Sequence, residues 1–489
     1  MICMTARDST AQQTAERLDR FPDALHEVRL DLCTDRAACL RVVARRSGRT
    51  RILTTCRPSR QQGGFSGDEQ RRVNLLKQAL AAGVWAVDLE WDSAPHHRKG
   101  LWDLAGPTRM VLSHHLWRRP EPGELRRLAN DMTRLPVATI KLAAMAEDVT
   151  DLAEFLDLDV SDRRLVLVPM GQAGRIGRVR YRQLGSSWTY VASSPKHATA
   201  PGQLDADQAD VLRIEEPTDL FVLLGGNQVQ GSPGPTVYNE WFKSNGIAAQ
   251  YLSAPTAHPP AAISVLERLG LKGASVTMPH KVAALEIATE RDRVASHVGG
   301  ANTLKRTQQG WHASNTDVIG VTEAILRASG AAAGKTAVVL GSGGAAAAAV
   351  SALVDMGSTV TVLGRNEART AALAQRFSVS NGPIAALEDS RFHILVQATP
   401  MGSDGHTNPV SNPGNLEGTV VLDMILAPTL TPLLRAAKHA GARAIIPGLE
   451  MWIWQGIAQM QQWMGRAPDP VWMRNRAAQA LAATERRKE

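Results

Sequence analysis

The segment TAVVLGSGGAAAAAV, residues 336–350, spaces Gly341, Gly343 and Ala346 as G-x-G-x-x-A. A turn of this kind lets backbone approach a pyrophosphate and aims a helix N-terminus at its charge. The spacing alone is a weak signal, because Gly-rich packing turns share it. A β-type run before it and an Ala-rich helical run after it make it a dinucleotide loop, with Gly341, Ser342, Gly343, Gly344 and Ala345 as candidate contacts. The next β-type run, TVTVLG, ends in GRNEAR. A site for NAD usually places Asp or Glu there for the ribose hydroxyls. Arg365, Asn366 and Arg369 stand in that place, and paired guanidiniums suit a 2′-phosphate. NADP is the expected cofactor. The competing reading, that both arginines are solvated surface charges, stays open.

A second set of polar residues lies in the first 200 positions. Glu27 and Arg29, Arg57, His115, Lys141 and Arg178 fall at the ends of short apolar runs. Those runs are ICMT, HEVRLDL, RILTTCR, WAVDLEW, MVLSHH, VATIKLA, LVLVPMG and WTYVA, with amphipathic stretches such as EQRRVNLLKQALAAG between them. Eight strands alternating with helices predict an α/β fold that begins with a (β/α)8 TIM barrel. In that fold the open mouth is built at the C-terminal ends of the strands, so the placement of the six residues carries more weight than their types.

A polar connector is expected at 205–220, after which FVLLGG opens a second α/β region. Another boundary falls near RASGAAAGK, and the strand–helix alternation beyond it predicts a Rossmann domain. The uncharged stretch Thr336–Val354 is as long as a membrane span but contains GSGG, so it reads as strand, turn and buried helix. The net charge of +8 favours anionic partners. Scattered arginines and few aromatics speak against nucleic acid, leaving anionic small molecules. Cys3, Cys33, Cys39 and Cys56 lack metal-ligand spacing and do not form a disulfide framework. With no signal peptide visible at MICMTARDST, a cytoplasmic enzyme without membrane contact is expected.

Residues 221–470 resemble the shikimate dehydrogenase family. GNQVQGSPGPTVYN, SVTMPHK, GGANTL, SNTDVIG, the glycine loop, ATPMGS and GLEMWIWQG occur in that family's order. The resemblance implies that Lys281 supplies and accepts a proton during hydride transfer, partnered by Asp317. It implies that Thr277, Asn302 and Gln455 bind ring hydroxyls, that Ser232 binds the carboxylate, and that Thr399 borders the cofactor. Three positions depart from the family pattern: Gly234 replaces a second serine, Ser275 an asparagine and Leu426 a tyrosine.

Residues 1 to about 210 resemble type I 3-dehydroquinate dehydratase, through EVRLDL, TCRP with a following GG, SHH, IKLA, MGQAGRIGR and TAPGQ. The resemblance implies an imine between Lys141 and the ring ketone, with His115 as general acid/base and Glu27 orienting it. A lysine must be neutral to attack, and the end of an apolar strand favours that form. Arg29, Arg57 and Arg178 would surround the substrate, with Thr199 and Gln203 on a closing loop. Since neighbouring strand residues face opposite ways, only one of His114 and His115 should reach the mouth. Gln62 stands where the family has Glu, in a loop longer by one residue.

Together these resemblances imply a bifunctional enzyme of the shikimate pathway. It would dehydrate 3-dehydroquinate and then reduce 3-dehydroshikimate to shikimate with NADPH, as a monomer without a metal. The implied domains are 1–212 for the barrel, 220–328 for substrate binding and 329–470 for NADP, with C-terminal helices packing back on the substrate-binding domain. Two other readings stay open: a second half that prefers quinate, and an inactive quinate-pathway sensor.

Overall fold

The structure, a computed structural model, describes residues 1–159, 164–410 and 416–485. Two compact units form, one of Met1–Leu220 with Phe242–Leu271 and one of Phe221–Trp241 with Lys272–Glu489.

All eight apolar runs of the first unit become strands: β1 (Ile2–Thr5), β2 (Leu25–Arg29), β3 (Ile52–Thr55), β4 (Ala86–Glu90), β5 (Met110–Leu116), β6 (Thr139–Met145), β7 (Arg164–Met170) and β8 (Thr189–Ala192). They are parallel and in sequential order, β7-β6-β5-β4-β3-β2-β1-β8, with the short strand Leu204–Asp205 beside β8. Ser187, just ahead of β8, donates to the Leu165 carbonyl of β7 at 2.8 Å. The sheet therefore curls into a (β/α)8 barrel. Helices such as Glu69–Ala81 cover it, starting where Asp68 caps the Arg71 N–H and burying Val73, Leu76, Ala79 and Leu80.

Period-two alternation grades the barrel interior along its axis. At the N-terminal end it is apolar, a cluster that includes Cys3, Leu25, Leu53, Ala86, Val111 and Val166. Two residues further along the same strands come Glu27, Thr55, Asp88, Ser113 and, on β6, Lys141 beside Ser113 in register. The apolar floor fixes the strands while the polar layer above it stays available for chemistry.

In the second unit the strands Thr336–Leu340, Thr359–Gly364, Ser380–Pro383, Ile394–Gln397, Val420–Asp423 and Ala444–Pro447 form one parallel sheet. Its order runs 380–383, 359–364, 336–340, 394–397, 420–423, 444–447. The order reverses on either side of Thr336–Leu340, which opens a crevice at that strand's C-terminal end, the ligand position of Rossmann folds. The uncharged stretch is a strand followed by the helix Gly344–Asp355, buried from Ala346 to Leu353. Among the described residues no helix is long and apolar enough to cross a membrane.

Ahead of that sheet, Thr303–Thr307 pairs antiparallel with Leu271–Val276 and with Gly310–Ser314. The helix Gly448–Met464 packs on this ladder, and Trp463 Nε1 donates to the Leu304 carbonyl at 3.0 Å. It also packs closely on the helix Asp317–Ser329, where Gly320 leaves the room: a Cβ there would stand 2.6 Å from the Met451 carbonyl oxygen. The polar connector contains a short helix, Ala206–Val211, started by a capping box of Asp205 and Gln208. One expectation needs correcting. Arg178 is not at a strand end; it sits on the helix Gly171–Val179 after β7 and turns back toward the mouth.

Candidate active sites

One cavity at the mouth of the barrel is lined by all eight residues expected there: Glu27, Arg29, Arg57, His115, Lys141, Arg178, Thr199 and Gln203. Lys141 is buried on β6, its Nζ 3.2 Å from Asp88 Oδ2, 3.9 Å from Glu27 Oε1 and 4.4 Å from the centre of the Tyr190 ring. Around it is a connected set of charges. Arg57 donates to Glu90 at 2.7 Å, to Asp88 at 3.2 Å and to Ser113 at 3.1 Å, and Ser113 donates to Asp88 at 2.6 Å. Arg72, fully buried, donates to Glu90 at 2.5 Å. Burial alone would raise the Asp88 carboxyl, but Arg57 and Lys141 hold it down at about 2.

His115 stacks on Trp117, and its Nδ1 lies 3.3 Å from Arg57 Nη1. Burial, Arg57 and Lys141 hold it well below the ordinary imidazole range, so it is neutral and able to take a proton. His114 points away from the cavity, as alternation requires. Glu27 differs from expectation: it accepts from Thr5 at 3.0 Å and Thr55 at 2.9 Å, and among the described residues no bond joins it to His115. Its reach is to Lys141 instead.

Arg29 forms a two-pronged pair with Asp31 at 2.9 and 2.7 Å. Arg178 donates to the carbonyls of Pro169 and Pro201, and burial with nearby Arg175 pushes it down to about 10. Thr199 donates through N and Oγ1 to Gln203 Oε1, at 2.7 and 3.1 Å, which folds TAPGQ into a compact loop. Gly202 makes that possible: at φ +73°, a Cβ would meet the Gly171 carbonyl oxygen at 2.0 Å. The SRQQGG loop makes a turn over Ser59–Gln61, leaving Gln62 in the left-handed region at φ 57° and on the cavity wall.

In the second unit the centre is a carboxylate shared by two donors. Lys281 donates to Asp317 Oδ2, and Asn302 Nδ2 donates to Asp317 Oδ1 at 2.7 Å. Asp317 is the first residue of its helix, where a negative charge is favoured. Asn302 Oδ1 accepts the Thr316 N–H at 2.8 Å, and its Nδ2 reaches Gln455 Oε1 at 3.4 Å. Among the described bonds, Ser232 and Thr277 do not join this network. Ser232 Oγ accepts the Gly234 N–H at 3.1 Å, and Thr277 lies beside Gly225, its Cγ2 where a Cβ would go.

The glycine loop meets the same centre. A Cβ on Gly344 would stand 3.3 Å from Lys281 Cδ, and one on Gly341 (φ +117°) 3.1 Å from Thr399 Cγ2. The helix beginning at Gly344 has no side-chain cap, so its first N–H groups face the crevice unmasked. Arg365, Asn366 and Arg369 are exposed at the end of the second strand. Neither arginine has a side-chain partner among the described residues. An uncapped helix end and two free guanidiniums suit the pyrophosphate and 2′-phosphate of NADP.

Several contributors escaped the sequence reading. Asp88, Glu90 and Ser113 complete the barrel network, and the signal was present: acids two apart in the otherwise apolar WAVDLEW must be buried and paired. Gln459 is the counterpart in the second unit. It lies one helical turn from Gln455, donates to the Asn302 carbonyl at 3.1 Å and to Thr303 at 2.9 Å, and accepts from Ser275 at 2.9 Å.

Fold and sites thus define a class: a lysine-centred barrel joined to a Rossmann oxidoreductase. Residues 2–216 match the family of type I 3-dehydroquinase, and residues 224–304 match the shikimate dehydrogenase substrate binding domain. A shikimate dehydrogenase (NADP(+)) of Syntrophobacter fumaroxidans is 36% identical over 255 residues, covering 51% of this chain and 88% of that protein. A bifunctional 3-dehydroquinate dehydratase/shikimate dehydrogenase of Arabidopsis thaliana, chloroplastic, is 27% identical over 443 residues, 84% of this chain and 73% of that one. Among solved structures, shikimate 5-dehydrogenase of Thermus thermophilus in complex with NADP(H) and shikimate superposes with a TM-score of 0.50 at 31% identity, covering 54% of this chain and 100% of that one. The chain belongs to the shikimate dehydrogenase family and carries a type I 3-dehydroquinase domain ahead of it. It is a bifunctional enzyme, a lyase and an NADP-dependent oxidoreductase.

Proposed function

We propose that the barrel converts 3-dehydroquinate to 3-dehydroshikimate through an imine on Lys141, and that the second unit reduces 3-dehydroshikimate to shikimate. The observation that carries the first step is the convergence of Lys141, neutral His115 and three arginines on one cavity. Arg29, Arg57 and Arg178 bind the carboxylate and hydroxyls; His115 takes the proton beside the imine carbon and returns one to the leaving hydroxyl. Glu27, 3.9 Å from Lys141, supports the lysine rather than the histidine. Thr199 and Gln203 close the loop over the substrate, and water is thereby kept from the imine.

In the second unit Lys281 donates a proton to the substrate oxygen and Asp317 holds it in place, itself fixed by Asn302. Thr277, Asn302 and Gln455 bind the ring hydroxyls and Ser232 the carboxylate. Residues 341–345, Thr399 and the Arg365–Asn366–Arg369 segment would hold NADPH, which would supply the hydride. The barrel domain is 1–212, the substrate-binding domain 220–328 and the NADP domain 329–470, in a monomer with a cytoplasmic setting. Four buried, unpaired cysteines support the reducing compartment. The quinate-preferring and sensor alternatives are not favoured, since the relatives from Syntrophobacter fumaroxidans and Arabidopsis thaliana carry shikimate dehydrogenase names, and the imine-forming Lys141 and the proton-handling Lys281 are both in place. A coupled assay supplying 3-dehydroquinate and NADPH tests the whole reading. Shikimate formed in step with NADPH loss is expected; reduction to quinate, or no NADPH loss, overturns it.

A further inference from the structure

We infer that Asp88 is a catalytic residue of the barrel, the fixed counter-ion of the cation that forms on Lys141. This rests on the imine reading given above. Asp88 is fully buried, and its Oδ2 lies 3.2 Å from Lys141 Nζ, the shortest reach of any carboxylate to that nitrogen among the described residues. Glu27, the other acid nearby, is at 3.9 Å and is already engaged by Thr5 and Thr55.

The second oxygen of Asp88 is committed as well. Oδ1 accepts from Ser113 at 2.6 Å and from Arg57 at 3.2 Å, so the carboxylate cannot rotate away from Nζ without losing both. Arg57 is itself locked to Glu90. The result is a negative charge preset at one point and buried from bulk solvent.

Charge accounting gives this geometry its use. An ammonium and a ketone become an iminium and water: the carbonyl C=O breaks, C=N forms, and two N–H protons leave with the oxygen. The nitrogen carries one positive charge before and after. Loss of the neighbouring proton makes a neutral enamine, and departure of the β-hydroxyl as water, with a proton supplied to it, restores the iminium. A carboxylate that stays ionised therefore favours both cationic stages, including the one that expels water. The low Asp88 carboxyl fits that constant charge.

The test is borohydride trapping with 3-dehydroquinate alongside steady-state kinetics, on the full chain. Wild type forms an adduct at Lys141; if it does not, the imine reading itself fails. Asp88→Asn keeps the shape and removes the charge. It is expected to slow trapping and kcat by about 100-fold or more, with KM within about threefold. Ser113→Ala keeps the carboxylate and should cost less than about tenfold. Trapping by D88N within about threefold of wild type, or an S113A loss as large as that of D88N, overturns the inference. If D88N unfolds the barrel, Raman spectroscopy of the wild-type imine decides. A C=N stretch that shifts between H2O and D2O shows the protonated imine; an unshifted stretch, meaning a neutral imine, overturns the proposal.

Discussion

Lys141 in the barrel lies among Asp88, Glu27, Arg57 and a neutral His115, with Glu90 and Arg72 behind them. Lys281 in the second unit pairs with one carboxylate among the described residues, Asp317, and that acid is positioned by the neutral amide of Asn302. The contrast follows the chemistry each lysine must do. A lysine that becomes covalently bonded to substrate changes charge during the reaction, and a buried, pre-paired network steadies those changes. A lysine that only passes a proton while hydride comes from elsewhere needs orientation, which uncharged hydrogen bonds provide. Buried ion pairs are expensive to desolvate, so a site that invests in them has a use for fixed charge.

Separate substitution of the two lysines is the severest way to break this comparison. Lys141→Ala is expected to lower dehydratase kcat by about 10⁴-fold or more, leaving NADPH-dependent reduction of 3-dehydroshikimate unchanged. If both activities fall together, the sites are not independent. Next in size, Lys281→Ala or Asp317→Asn should reduce dehydrogenase kcat by about 10²–10⁴-fold, with KM changing little and the dehydratase intact.

The cofactor clamp sharpens the second site. Arg365→Ala and Arg369→Ala should each raise KM for NADPH by about 10–100-fold, the value of a charge-assisted hydrogen bond at about 1.5–3 kcal/mol. KM for NADH should stay constant, since NADH lacks the 2′-phosphate. Equal losses with both cofactors would make these arginines surface charges.

The smallest effect compares two buried aspartates. Asp88 is held at about 2 by cations, whereas Asp423, fully buried and bonded by Thr431 and the Ile425 N–H with no cation partner among the described residues, is pushed by burial up to about 6. A raised folded-state value means the native state keeps its proton longer than the unfolded chain. Stability from this group is therefore full below about pH 4, falls as pH rises toward about 6 and is flat above. Thermal melts of Asp423→Asn should gain on wild type across that window by about 1–2 kcal/mol, with no gain between about pH 7 and 8. A constant difference at all pH values would contradict the assignment.

Most of the architecture was readable in the chain because its signals are local. Eight short apolar runs at regular spacing, and a glycine loop between strand and helix, become the barrel and the Rossmann crevice. Glu27, Arg29, His115 and Lys141 reach one cavity because alternation along parallel strands keeps one face inward. What stayed hidden depends on cross-strand register and on returning helices. Asp88 matters because β4 sits near β6 across β5, and Gln459 because its helix folds back onto Asn302. Glu27 shows the same dependence: strand order sets it beside Thr5 and Thr55, and among the described residues no bond joins it to His115.

The central claim is that Lys141 forms the covalent link while Lys281 does not. Borohydride reduction of the full chain with 3-dehydroquinate, followed by peptide mass spectrometry, reads this directly. The account predicts one adduct, on the peptide containing Lys141, with dehydratase activity lost and dehydrogenase activity retained. An adduct on another lysine, or none at saturating substrate, would contradict it.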